Sequence, residues 1–198
     1  MNKTPLFYRI CKCILGFIFK LYYNPTIINK EYIPKTGPFL IVGNHKHLYD
    51  QCLCIIATKR YLRYMAKKEY FDNKKVAWFF KLNGCIPVDR SKKDTNAKDS
   101  AIKTLENGGA IGLFPEGTRN RTDKILLPFK YGTVSMAKKT DTYIVPFSIT
   151  GDYKFRSKNL KIIFDTPFKV TDMDLESANT LLYKKIEKLI KKGNKLNK

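Results

Sequence analysis

The sequence predicts an α/β fold: a single domain whose mostly parallel sheet is flanked by helices, with an amphipathic N-terminal helix lying on a membrane surface. Three observations carry this. Short apolar runs alternate with longer helix-like stretches, the order expected of strands joined by crossover helices. A length of 198 residues suits one domain with a sizeable core. No internal repeat and no Pro/Gly/Ser-rich linker divides the chain. The expected organisation is an anchoring segment over 1–28, a folded domain over 29–192 and a polar basic tail over 193–198.

Residues 5–23 form the first element. At about 100° per residue, Arg9, Lys12, Gly16 and Lys20 fall within roughly 80° of arc. Leu6, Phe7, Ile10, Ile14, Phe17, Ile18 and Leu21 occupy the other side. A spanning helix needs about 20 largely apolar residues, whereas the longest uninterrupted run here is Cys13 to Phe19. An in-plane membrane helix with its cations at headgroup level fits that pattern; the alternative is a helix packed on the protein's own core. Asn24-Pro25 closes the segment, and no small-residue cleavage site follows as a signal peptide would require.

Strand-like runs follow at Phe39–Val42, Tyr64–Ala66, Cys85–Val88, Ala110–Phe114, Tyr143–Ile149 and Leu160–Phe164. Between and after them lie helix candidates near Asp50–Lys59, Lys74–Leu82, Thr95–Asn107, Gly132–Lys139 and Leu175–Lys192. The last is a Lys-rich amphipathic helix whose charged face is either solvated or an extra contact with anionic lipid.

Composition restricts the partners. A net charge of +21 draws the protein to polyanions: nucleic acid, anionic lipid headgroups or an acidic carrier protein. The 43% hydrophobic and 13% aromatic content argue against disorder. No recognised nucleic-acid module is visible, and the aromatics sit in apolar runs rather than among basic residues, so no nucleic acid is expected. The five cysteines are odd in number and lack a matching His/Cys set for zinc, which indicates reduced, packed thiols and no metal.

The stretch Gly43-Asn44-His45-Lys46-His47-Leu48-Tyr49-Asp50 joins the first buried strand to a helix start. It places a general base and a carboxylate to orient it five positions apart. Along one helix the two would sit about 140° apart, and along one strand about 17 Å apart. They meet only if His45 lies in the strand-exit loop and Asp50 opens the helix, a position that suits Asp. His47 is a rival base.

Other segments bring charge to strand ends. Phe114-Pro115-Glu116-Gly117-Thr118-Arg119 supplies a glycine for close backbone approach and a guanidinium fork suited to phosphate; Glu116 could hold that Arg or accept from a substrate hydroxyl. Arg121 and Lys124 add positive potential nearby. Gly84-Cys85-Ile86-Pro87-Val88-Asp89-Arg90 and Met65-Ala66-Lys67-Lys68-Glu69 deliver further charged residues to the carboxyl edge, where open α/β sheets bind ligands. Ile144-Val145-Pro146-Phe147-Ser148-Ile149-Thr150-Gly151 reads as a structural strand.

In this order, from about Gly37 to Gly151, these segments resemble the lysophospholipid and glycerol-phosphate acyltransferase superfamily, in particular its 1-acyl-glycerol-3-phosphate acyltransferases. The resemblance implies that residues 29–192 are an acyltransferase domain at the cytoplasmic face of the cell membrane. It implies acyl transfer from a coenzyme A or acyl carrier protein thioester to lysophosphatidic acid, giving phosphatidic acid, with no other cofactor. His45 would take the hydroxyl proton and Asp50 would orient the imidazole. Arg119, with Glu116, Gly117 and Thr118 and helped by Arg90 and Lys67, would hold the acceptor phosphate. Many members carry Ser where this chain has His47, which bears on acceptor headgroup preference. The alternatives are another acceptor, either a different lysolipid or glycerol-3-phosphate, and a non-catalytic basic protein binding membrane or nucleic acid.

Overall fold

The computed structural model describes residues 4–89, 91 and 94–197. In chain order its elements are α1 (Leu6–Tyr22), β1 (Thr26–Ile28), a 3-10 turn (Lys30–Tyr32), β2 (Phe39–Gly43), α2 (Asp50–Ala57), β3 (Leu62–Lys67), α3 (Glu69–Asp72), α4 (Ala77–Leu82), β4 (Ile86–Val88), α5 (Thr95–Glu106), β5 (Ala110–Leu113), α6 (Gly132–Lys139), β6 (Tyr143–Thr150), β7 (Lys161–Phe164) and α7 (Leu175–Lys195). The strands form one sheet in the order β1-β7-β6-β2-β5-β3-β4. Neighbours run parallel except β6 and β7, which are antiparallel. The expected α/β class and mostly parallel sheet are therefore the observed ones. β1 and α3 are additional; three or four residues are too few to show a periodicity.

β2 is flanked by β5 and β6 and is buried along its whole length. Its side chains alternate between two cores. Phe39 and Ile41 pack with Phe19 of α1 and Leu53 and Cys54 of α2. Leu40 and Val42 pack on the other face with residues of α5, α6 and α7. Burial on both faces is why this strand reads as an unbroken apolar run rather than an alternating one. Asp94 and Asp174 cap α5 and α7, each accepting from a main-chain N–H in the first turn. Pro146 lies in β6 between the Ile144–Phe168 bridge and the ladder to β7 that begins at Phe147, where the register slips and a missing N–H costs least.

α1 has two apolar faces. Tyr8 and Phe19 are each 3% exposed and anchor it to the domain. Leu6, Ile10, Ile14, Phe17 and Leu21 point the other way and stay exposed. Phe7 extends this apolar surface to α4, meeting the partly exposed rings of Trp78 and Phe79 edge-on at 5.7 and 6.0 Å. The helix therefore packs on the domain's core, one of the two arrangements that the sequence left open, and still presents an apolar stripe on its other side. One expectation is corrected. Lys12 was expected on one outward cationic arc with Arg9 and Lys20; its ammonium instead turns inward to the Thr58 carbonyl at the end of α2, where a cation complements the helix dipole. No described helix is long and apolar enough to cross a membrane. α7 continues to Lys195 instead of ending at Lys192, because Gly193 is still buried against the sheet.

Candidate active site

The site is built at the carboxyl end of β2. Gly43 touches Phe147 so closely that a Cβ there would lie 2.4 Å from its ring. Asn44 then continues the sheet with its side chain: its amide donates to the Ile149 carbonyl at 2.9 Å, and its oxygen accepts the Ile149 N–H at 2.8 Å. This fixes where the chain leaves the sheet, and His45 is the next residue. The His45 ring stacks on Phe114 at 4.0 Å. Its Nδ1 lies 2.9 Å from Oδ2 of Asp50, the first residue of α2. Asp50 is fully buried, and the same Oδ2 accepts the main-chain N–H groups of Lys46 and His47, each at 2.7 Å. Its Oδ1 accepts the Tyr153 hydroxyl at 2.8 Å.

A strand-exit loop followed by a helix start is the geometry the His45–Asp50 spacing requires. It also separates the two histidines. The Nδ1 of His47 accepts the Tyr49 N–H at 3.3 Å and its ring stacks on Tyr153 at 4.3 Å, so only its main chain meets Asp50. With Nδ1–H given to the carboxylate, Nε2 of His45 carries the free lone pair. The His45 side chain is 18% exposed, so a substrate can reach it.

The loop after β5 is tied to this one. Glu116 is 4% exposed; its Oε1 accepts the His45 N–H and its Oε2 the Leu127 N–H, both at 2.9 Å. Of the roles expected for Glu116, the grip on Arg119 is corrected: each of its oxygens receives a main-chain N–H instead. Burial raises its carboxyl pKa, and the two N–H bonds oppose that rise. Gly117 has φ 70°, and the Lys130 side chain lies across it. Thr118 is exposed and Arg119 half-buried. The next residue, Asn120, donates its N–H to the His45 carbonyl at 2.7 Å and so ties this loop to the one that carries the base; Asn120 lines the cavity there and Arg119 does not.

The remaining cations are less central. Lys67 ends β3, which β5 separates from β2, and its ammonium pairs with Glu69 at 3.2 Å rather than facing the base. Arg90 lies outside the described residues; Asp89 before it follows β4, the edge strand. A cavity of about 290 Å³ opens beside the base, with His45, Lys46, Glu116, Lys124, Thr150 and Asn194 among its lining.

The family model for acyltransferases matches residues 24–150, the span that contains both loops. The chain belongs to the acyltransferase family. A 1-acyl-sn-glycerol-3-phosphate acyltransferase of Bacillus subtilis is 31% identical over 170 residues, covering 83% of this chain and 84% of that protein. One from Borreliella burgdorferi is 34% identical over 146 residues, 73% of this chain and 57% of that protein. The crystal structure of the 1-acyl-sn-glycerophosphate acyltransferase from Thermotoga maritima superposes with a TM-score of 0.76 at 22% identity, over 96% of this chain and 79% of that one, which shows a shared fold.

Acyltransferases can act through a covalent nucleophile or by direct attack. The thiols nearest this site are poor nucleophiles. Burial, and then the Asp50 charge, pushes Cys52 up to about 12, and burial raises Cys54 as well. Among the described residues no group of three or more His, Cys, Asp or Glu side chains is placed to hold a metal ion. The sequence did not single out three residues that the structure places around the His45 and Glu116 loops: Asn44, Lys130 and Tyr153. The sole local hint for Tyr153 is Gly151-Asp152-Tyr153, a turn directly after a strand that neighbours β2.

Proposed function

We propose that this protein is a monotopic membrane enzyme that transfers an acyl group from a thioester to the free hydroxyl of 1-acyl-glycerol-3-phosphate, producing phosphatidic acid. The observation that carries the proposal is the 2.9 Å contact between His45 Nδ1 and the buried Asp50 carboxylate. It directs Nε2 outward as a general base. The acceptor hydroxyl gives its proton to Nε2 as its oxygen bonds to the thioester carbonyl carbon. The tetrahedral intermediate then collapses, the carbon–sulfur bond breaks, and the imidazolium returns the proton to the departing thiolate. Asp50 holds the imidazole in one tautomer and stabilises its charged form. The enzyme is never acylated, in keeping with the protonated Cys52 and Cys54.

Arg119 supplies the fork for the acceptor's phosphate, with Gly117 and Thr118 beside it and Lys124 and Lys130 adding positive potential. Glu116 acts on the base through the main chain. The exposed stripe of α1 enters the interface, Arg9 and Lys20 meet anionic headgroups, and the lipid acceptor reaches the site from that surface. The donor is a coenzyme A or acyl carrier protein thioester, both acidic and both suited to a chain of net charge +21. Those donors place the reaction on the cytoplasmic face. The relatives from Bacillus subtilis and Borreliella burgdorferi, both named as 1-acyl-sn-glycerol-3-phosphate acyltransferases, support the same acceptor.

The test is acylation of lysophosphatidic acid by the purified protein on anionic vesicles, with each donor, beside a panel of other lysolipids and glycerol-3-phosphate. Transfer to lysophosphatidic acid is expected, with His45→Ala inactive yet still vesicle-bound. Full turnover by His45→Ala would remove the proposed base, and preference for an acceptor without a phosphate monoester would overturn the substrate.

A further inference from the structure

Tyr153 lies three residues past β6, beyond a turn that only glycine fits. Gly151 has φ 81°, and a Cβ there would sit 2.0 Å from the Asn159 carbonyl oxygen. The turn carries Tyr153 back over the catalytic loop. There its ring stacks on His47 at 4.3 Å and meets the Tyr23 ring edge-on at 5.6 Å. The segment is pinned to the end of α1, since Arg156 donates its N–H to the Tyr22 carbonyl at 2.7 Å and Phe155 packs on the Tyr22 ring at 5.0 Å.

We propose that Tyr153 is a positioning residue for acyl transfer, its hydroxyl setting the orientation and the hydrogen-bonding strength with which Asp50 serves His45. The proposal rests on the reading of His45 and Asp50 as base and orienting carboxylate. Buried tyrosines commonly give their hydroxyl to some acceptor. What singles this one out is the acceptor. Oδ2 of Asp50 takes three N–H donors, whereas the hydrogen bond described for Oδ1 is the one from Tyr153. At 0% exposure Asp50 has no bulk water to substitute. The carboxylate torsion of Asp is broad, so the donor on Oδ1, added to the three on Oδ2, fixes the plane in which the carboxylate meets the imidazole. The Tyr153 hydroxyl also keeps its proton, because burial and the Asp50 charge both raise its pKa. It therefore donates throughout the pH range in which His45 works.

Tyr153→Phe keeps the ring and its stacking and deletes only the donor. With less hydrogen bonding to Asp50, its charge bears more strongly on the His45 imidazolium. We expect kcat to fall on the order of tenfold or more, with acceptor KM nearly unchanged. We also expect the acid limb of the pH–rate profile to move to higher pH. An activity-independent readout is the low-field Nδ1–H proton signal of His45 in the full-length protein by NMR. It should move in Tyr153→Phe and stay in place in Tyr143→Phe, which alters the opposite end of β6. Tyr23→Leu removes the ring behind Tyr153, a ring that also meets Phe19, Tyr22 and Tyr49; it gives a smaller displacement and serves if Tyr153→Phe does not fold. An unmoved Nδ1–H signal in the folded variant, or an unchanged kcat and acid limb, overturns the proposal. Absence of acyl transfer by the wild-type protein would instead overturn the proposed function, and the NMR comparison would still decide what Tyr153 does to the pair.

Discussion

Glu116 holds His45 through the main chain: Oε1 accepts the His45 N–H at 2.9 Å while Oε2 accepts the Leu127 N–H, 11 residues further along its own loop. One buried carboxylate thereby fixes the distance between the loop that carries the base and the loop that carries Arg119. The two main-chain donors come from two different loops, one to each oxygen, and a side-chain amide offers only one oxygen to receive them.

Glu116→Gln tests this directly. The amide keeps one acceptor and turns an NH2 group toward a main-chain N–H, leaving a buried donor unpaired at about 1–3 kcal/mol. We expect a thermal midpoint lower by several degrees and a kcat reduced roughly tenfold or more. Unchanged values in scanning calorimetry and steady-state kinetics would show that the two loops are held by other contacts.

Two aromatic positions on α1 separate the proposed membrane attachment from folding. Phe17 is 70% exposed and Phe19 is 3% exposed. Burying a Phe side chain in the interface is worth about 1.5–3 kcal/mol, so Phe17→Glu should weaken vesicle binding by roughly 10–100-fold and leave the unfolding curve in place. Phe19→Ala opens the core and should cost about 3–5 kcal/mol of stability. Vesicle sedimentation and urea unfolding of both variants check the contrast, which fails if Phe17→Glu binds vesicles as well as the wild type.

Arg119 and Lys67 should diverge as phosphate ligands. Loss of a hydrogen bond to a charged group costs about 1.5–3 kcal/mol, so Arg119→Ala should raise KM for lysophosphatidic acid on the order of 10–100-fold. Lys67→Ala should change it little, because that ammonium is engaged by Glu69. Equal effects in initial-rate measurements would mean that Lys67 leaves Glu69 when the acceptor binds.

The buried thiols predict alkaline sensitivity. Cys52 is raised to about 12 and Cys85 to about 11, and Cys54 rises with them, in each case chiefly through burial. In the unfolded chain a thiol ionises near its ordinary value of about 8.5. The folded protein keeps these protons longer, so this contribution is intact below that pH and is lost as pH climbs toward the folded values. Each thiol contributes a slope of up to about 1.4 kcal/mol per pH unit. Urea unfolding should show stability falling above about pH 8.5, and the Cys52→Ala/Cys54→Ala/Cys85→Ala variant should flatten the early part of that fall. Above about pH 10 the buried hydroxyls of Tyr8 and Tyr64 steepen it further.

Most of the architecture was legible in the chain because its strands announce themselves. Phe39–Val42 is apolar throughout and Tyr143–Ile149 apolar apart from Ser148, since both faces of the sheet are covered, and Gly132–Lys139 was bounded to the residue. β1 and α3 were not, because their lengths fall below any readable period. The orientation of Lys12 was also hidden: a helical projection places a cation on an arc but does not reveal which arc meets the domain.

The sequence by itself determined the class of fold, a pair of histidines either of which can act as a base, and the requirement that Asp50 open a helix if His45 is to meet it, since covalent spacing and backbone geometry allow those two no other way to meet; the structure chose His45. Only the tertiary structure decided what surrounds that pair. Glu116, Asn44 and Tyr153 stand 71, 105 and 103 positions from the partners they bind. Hydrogen bonds across such separations depend on which strands become neighbours. The placement of β2 between β5 and β6 brings those three side chains to His45 and Asp50.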